Sequence, residues 1–215
     1  QLISNGACMP NYEYMHIPGM DWLGREIGPS TTAVQVASVA HQTGKKQVLS
    51  ETFALCGWDV SFEELKQIYE WQMVRGINLL CQHLEGYSLR GIRKRDYPAT
   101  LFYQQPWWSE YRKLNDVFSR LGMLLSEGKV KFETLVVHPM SSAWICFNNK
   151  DNGLLRELDE KFMQTIHSLE ENQIQYDLGD ERIMQLHGSV TGNVLNVGQM
   201  SYRVVLVPDA LNLAP

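Results

Sequence analysis

The sequence predicts an α/β fold built on parallel strands. Short apolar runs alternate with amphipathic stretches, the pattern of repeated strand–helix–strand units. The composition changes character at "EGKVKFETLVVHP" (127–139), and the same alternation then resumes. Two domains are therefore expected, 1–129 and 130–215.

In the first, "EYMHIPGMDWL" (13–23) reads as a short strand running into a loop. "TTAVQVASVAHQTG" (31–44) is a helix, with Thr31 or Thr32 as its cap and Gly44 as its stop. "KQVLSE" (46–51) is a strand by its brevity and apolar centre. Ser61 opens the next helix, and Glu64 three residues on completes a capping box. That helix runs to Arg75 and stops at Gly76. "INLLCQH" (77–83) is another strand, followed by a polar loop (84–106) and a long helix over 107–127.

In the second, "FETLVVH" is a strand, 154–172 a helix and "QIQYDLG" (173–179) a strand. A short helix (181–188) and the strand "YRVVLVP" (202–208) complete strand–helix–strand–helix–strand, a parallel sheet with covering helices. About three strand–helix units in the first part do not close an eight-stranded barrel, which needs ~250 residues. Either the sheet is open or the chain is a piece of something longer. The start at Gln1 and the stop at "ALNLAP" favour a piece.

Of the 215 residues 44% are hydrophobic and 20% charged, an ordinary globular balance. A net charge of −5 argues against nucleic acid or an anionic membrane as partner. No apolar run approaches the ~20 residues of a membrane span. The cysteines Cys8, Cys56, Cys81 and Cys146 form no CxxC pair, so buried free thiols are expected. The histidines lack HxxxH or HExxH spacing, which leaves a zinc site without support. The loop "PMSSAWICFNNKDNG" lacks the glycine spacing that cradles a nucleotide phosphate. Arg90, Arg93, Lys94 and Arg95 beside Asp96 read as a solvated loop or as intramolecular salt bridges rather than a phosphate site.

Chemistry in parallel α/β folds gathers at the carboxyl ends of strands. Glu51 stands at such an end, and Asp21 and His83 occupy the equivalent ends of the strands before and after it. Trp22, Trp58 and Tyr87 are placed to wall one mouth. Carboxylates with aromatic platforms suit a sugar, whose hydroxyls need acceptors and whose ring faces stack on indoles. Each residue also has a plainer reading: Glu51 and Asp21 as caps or turn residues, His83 as a core histidine, the tryptophans as packing.

"SETFALCGWDVSFEELKQIYEWQMVRGINLL" followed by "YSLRGIRKRDYPATLFYQQPWW" resembles the late part of the catalytic barrel of large bacterial glycoside hydrolases. The similarity is greatest to α-L-rhamnosidases of glycoside hydrolase family 106, and more distant to family 42 β-galactosidases, where a glutamate ends the seventh strand. The resemblance implies the C-terminal part of a (β/α)8 barrel, with Glu51 as the seventh-strand carboxylate, 77–83 as the eighth strand and 107–127 as the closing helix. It places the basic run from Arg90 to Arg95 in the eighth-strand loop, where contact with substrate or a neighbouring loop is also open. It implies part of a flavodoxin-like parallel-sheet domain over 130–215. Glu51 would be general base or nucleophile; Asp21, His83 and Trp58 would bind the sugar. A glycosidase needs a second carboxylate. In these families it comes from the fourth strand, which this chain lacks, and Glu13, Glu26, Glu85 and Asp96 do not match it. The chain alone would therefore hold half an active site. Family 106 also implies an active-site calcium with Glu51 as one oxygen ligand. The six to eight oxygens calcium takes, roughly, cannot be assembled from this chain. The competing reading is a non-catalytic carbohydrate-binding or assembly module.

Overall fold

A computed structural model describes residues 2, 6–95, 97 and 101–213. Asp96, one of the acids weighed above, lies outside them. The structure is mixed α/β with parallel sheets and divides into two compact units.

The first unit comprises 17–28 and 46–128. Its sheet has three parallel strands in chain order: β1 (Gly19–Trp22), β2 (Leu49–Thr52) and β3 (Leu79–Gln82). The second comprises 1–16, 29–45 and 129–215. It opens with the single turn α1 (Met9–Tyr12) and includes α2 (Thr32–Thr43). One unit border falls at 128/129, and α2 groups with the second unit although its neighbours in sequence, β1 and β2, belong to the first.

Back in the first unit, α3 (Phe62–Met73) follows β2 and α4 (Tyr111–Ser126) follows β3. Both halves of the Ser61–Glu64 capping box are present. The Gln72 side chain of α3 donates to Thr52 Oγ1 at 3.1 Å, so α3 covers the Ser50/Thr52 face of the sheet. Gln82 and Asn115 join α4 to β3 at 2.6 Å. Gly122 brings α4 close to the start of β3: a Cβ there would lie 2.5 Å from the Asn78 carbonyl oxygen. Asn78 in turn ties the starts of β2 and β3, bonding Val48 N at 2.9 Å and Lys46 O at 2.8 Å.

In the second unit, β4 (Thr134–His138) leads into α5 (Met140–Cys146) and α6 (Gly153–Glu171). Then come β5 (Tyr176–Asp180) and α7 (Glu181–His187). Three short antiparallel strands follow, β6 (Gly188–Thr191), β7 (Val194–Val197) and β8 (Met200–Tyr202), and last β9 (Val204–Leu206). The parallel sheet runs β5–β4–β9, which is second–first–third in chain order. Leu135, Val136, Phe162, Ile166 and Leu178 form its core with Val34 and Val39 of α2. Two readings change here. The strand expected over 202–208 is split: β8 closes the antiparallel sheet, and β9 starts anew after Arg203 N and Val204 N both bond Glu133 O. The segment after β4, read as a loop, contains α5. Among the described residues no helix is long and apolar enough to cross a membrane.

Candidate active site

Strand register builds the site. Asp21 pairs with Glu51 across β1–β2, and Glu51 with Cys81 across β2–β3. Successive strand residues face opposite sides, and α3 covers the Thr52 side. Asp21, Glu51 and Cys81 therefore stand in a row on the other face, one strand spacing of ~4.8 Å apart. That face is open: Asp21 and Cys81 are exposed, and Gly19, Leu49, Glu51 and Leu79 are only partly covered. Neither the Asp21 nor the Glu51 carboxylate has a hydrogen-bond or ion-pair partner among the described residues.

His83 lies one residue past β3, and its N–H extends the ladder by donating to Thr52 O at 2.8 Å. Its ring stands 6.0 Å from that of Tyr97. Its Nδ1 is buried without a partner among the described residues. Asp21, Glu51 and His83 thus share one end of one sheet.

The expected aromatic walls divide. Trp22 faces the helices: its ring packs at 4.4 Å on Trp71 of α3, and its N–H donates to Glu26 O at 3.1 Å. It follows Asp21 directly, so strand alternation turns it to the opposite side. Tyr87 is fully exposed and walls nothing. Trp58 is 42% exposed and meets Phe102 edge-on at 6.5 Å.

After Glu51 and Thr52 the chain takes an unusual path. Phe53 (φ 74°) and Leu55 (φ 60°) are left-handed, and Gly57 (φ 75°) follows suit. For side-chain-bearing residues this costs about 1–3 kcal/mol each, and such strain gathers at functional sites. Arg25, which sequence reasoning passed over, holds the turn. Its guanidinium donates to Cys56 O, to Asp59, and to Glu64 Oε1 at 3.1 Å. Gly24 N bonds Ala54 O at 2.8 Å, and the Trp107 N–H bonds Val60 O at 2.9 Å. The hydrogen bond to Arg25 holds the Asp59 carboxyl below its usual range. The Ser61 backbone, then its hydroxyl, does the same for Glu64. Burial pushes the Cys56 thiol up to about 11, which makes it inert packing.

For calcium, Asp21 and Glu51 are two carboxylates against about six to eight oxygens. Among the described residues no group of three or more His, Cys, Asp or Glu could hold a metal ion. These residues do not make up a calcium site.

The backbone is similar to that of a rhamnosidase, a glycoside hydrolase, from Novosphingobium sp. PP1Y, with a TM-score of 0.63 at 15% sequence identity. The match covers 93% of this chain and 19% of that one. At this identity the likeness is one of fold. No protein-family model matches the chain, and no curated protein matches it in sequence.

Proposed function

We propose that the chain is part of a glycoside hydrolase that cleaves O-glycosidic bonds, with α-L-rhamnosides as its substrate class. The observation that carries this reading is the open row Asp21–Glu51 at the sheet's carboxyl end, beside a strained turn, in a fold similar to that of a rhamnosidase. On this reading β1–β3 are neighbouring strands of a (β/α)8 barrel and the open face is its interior. Parallel sheets are ordinarily covered on both faces, which supports further strands closing over this one. The second–first–third order of β4, β5 and β9 is how a flavodoxin-like sheet begins, in support of that domain assignment.

Glu51 acts as nucleophile or as general base on water, against an oxocarbenium-like transition state. Asp21 and His83 accept or donate hydrogen bonds to sugar hydroxyls. Asp21 does not serve as the second catalytic acid. It stands beside Glu51 on the same wall, whereas the two carboxyls must flank the scissile bond. Trp58 lines the subsite.

Two outcomes are expected. The 215-residue chain alone turns over no aryl α-L-rhamnoside at a useful rate, since loss of a general acid removes ~10²–10⁴-fold. In a polypeptide that carries this chain and does turn over, Glu51→Gln leaves the fold intact and lowers kcat by at least ~10³-fold, about 4 kcal/mol. A kcat near wild type in that variant would make Glu51 a structural residue. Saccharide binding without turnover in the intact polypeptide would favour the binding module instead.

A further inference from the structure

We infer that Arg25 is a positioning residue for this site, locking the loop that carries Trp58 to the strand ends that carry Asp21 and Glu51. The inference rests on the glycosidase reading for its functional meaning and on geometry alone for its structural half.

Three segments meet at one side chain. Arg25 follows β1 four positions after Asp21. Its acceptors are a backbone carbonyl in the turn after β2 (Cys56), a carboxylate next to Trp58 (Asp59), and the capping carboxylate of α3 (Glu64). Nε and both terminal nitrogens of the guanidinium are used, each on a different residue, a spread that the single nitrogen of an ammonium does not reproduce. The hydrogen bond to Asp59 strengthens its hold on the proton, so the clamp stays charged.

The fit is close. A Cβ on Gly57 would lie 2.9 Å from Asp59 Oδ1 and 3.2 Å from Arg25 Nη2, and the backbone there is left-handed. The turn needs an external hold, because Phe53 and Leu55 stay left-handed only if their surroundings over-determine them. Phe53 has its own hold, being buried with its ring 6.2 Å from that of Phe118. Leu55 is 48% exposed. Its conformation depends on the backbone bonds on either side, Gly24 N to Ala54 O and Arg25 to Cys56 O. Without Arg25 the segment 54–59, including Trp58, is released while the strand ends stay paired.

Two measurements test this on the full 215-residue chain. The first is amide hydrogen exchange. Arg25→Ala should speed exchange over 54–60 at least about tenfold while β2 and the later turns of α3 keep wild-type rates. Arg25→Lys should not restore protection. Asp59→Asn, at an exposed carboxylate, should give a smaller acceleration confined to the same segment. Unchanged rates over 54–60, or equal acceleration throughout the unit in all three variants, would overturn the inference.

The second is calorimetric binding of 4-nitrophenyl α-L-rhamnoside. Arg25→Ala should weaken it at least about tenfold, and less than twofold in a Trp58→Ala background, because Arg25 acts through Trp58. Additive losses would overturn the functional half. If the wild-type chain binds no glycoside, the functional half is overturned for this chain, whereas the exchange result still decides whether Arg25 holds the loop and the Glu51→Gln result still decides the glycosidase reading.

Discussion

His138 shows what burial does to a single titratable side chain. It ends β4, is 1% exposed, and packs on the Phe162 ring at 5.4 Å. Neither ring nitrogen has a partner among the described residues, and burial lowers its pKa to about 3. The folded protein therefore keeps this imidazole neutral down to about pH 3, while the unfolded chain protonates it below ~6.5. As pH falls through that window the unfolded state binds the extra proton, and stability is lost at up to ~1.4 kcal/mol per pH unit. Between pH 7 and pH 5 this amounts to about 2 kcal/mol. Urea midpoints at the two pH values should show that loss, and His138→Leu should lack it. Equal pH slopes in the two proteins would mean that His138 is solvated. At the candidate site, what could be read in advance was whatever depends on strand ends. Asp21, Glu51 and His83 follow apolar runs, and parallel register makes them neighbours. Trp22 fell on the other side because one residue of alternation reverses a side chain. Cys81, expected with the other cysteines as a buried thiol, is exposed, and aligning "MDW", "SET" and "LCQ" shows why: register sets it on the open face beside Glu51. Arg25 was not legible, since its partners lie 31 to 39 positions away.

Elements were legible where a cap or an apolar run left a signal. α3 announced itself through Ser61 and Glu64, and β2 through its apolar centre. The antiparallel strand β6 gave no such signal: Gly188, Ser189, Val190 and Thr191 are all exposed, so it has no buried side to write a period of two. α5, seven residues after a proline, is too short for a helical stripe. The α4–β3 contact shows packing overriding propensity. Alanine is favoured over glycine in a helix by about 1 kcal/mol. At position 122 the new Cβ would stand 2.5 Å from the Asn78 carbonyl, and overpacking costs about 1–3 kcal/mol. Displacing Asn78 also strains its two bonds to the start of β2. Gly122→Ala should therefore lower the unfolding free energy by about 1–2 kcal/mol despite the better helix former. An equal or higher thermal midpoint would show that the helix can shift away. Ser61→Ala provides the contrast, a loss of about 1 kcal/mol from the cap alone.

At the scale of the whole molecule, chain order and spatial grouping part company. The chain passes between its two units at 16/17, 28/29, 45/46 and 128/129. The border expected at 129 came from a change of composition, and a helix between two parallel strands is ordinarily read as covering their sheet, so nothing marked α2 as belonging elsewhere. What groups α2 with the other unit is polar as well as apolar, and its partners lie more than a hundred residues ahead. Ser38 Oγ accepts from Leu178 N at 2.8 Å, and Gln42 donates to Leu178 O at 3.0 Å. Asp177, 1% exposed, is held by His41 at 2.8 Å and by the Tyr202 hydroxyl at 2.7 Å. The sequence marks 129 as a border, and a fragment of residues 129–215 tests whether it is a border of folding. That fragment keeps β4, β5 and β9 but loses α2. It leaves Asp177 without its His41 hydrogen bond, and Leu178 without the Ser38 and Gln42 bonds to its backbone, at about 0.5–1.5 kcal/mol for each bond lost. It also uncovers the core at Val34 and Val39, at about 1.5–3 kcal/mol for each side chain removed. Those losses match or exceed the roughly 5 kcal/mol at the lower end of domain stability. The fragment should show no cooperative thermal unfolding and no dispersed amide spectrum, and a peptide spanning 29–45 added in excess should restore both in part. A cooperatively folded 129–215 without the peptide would show that α2 is dispensable to the unit it joins.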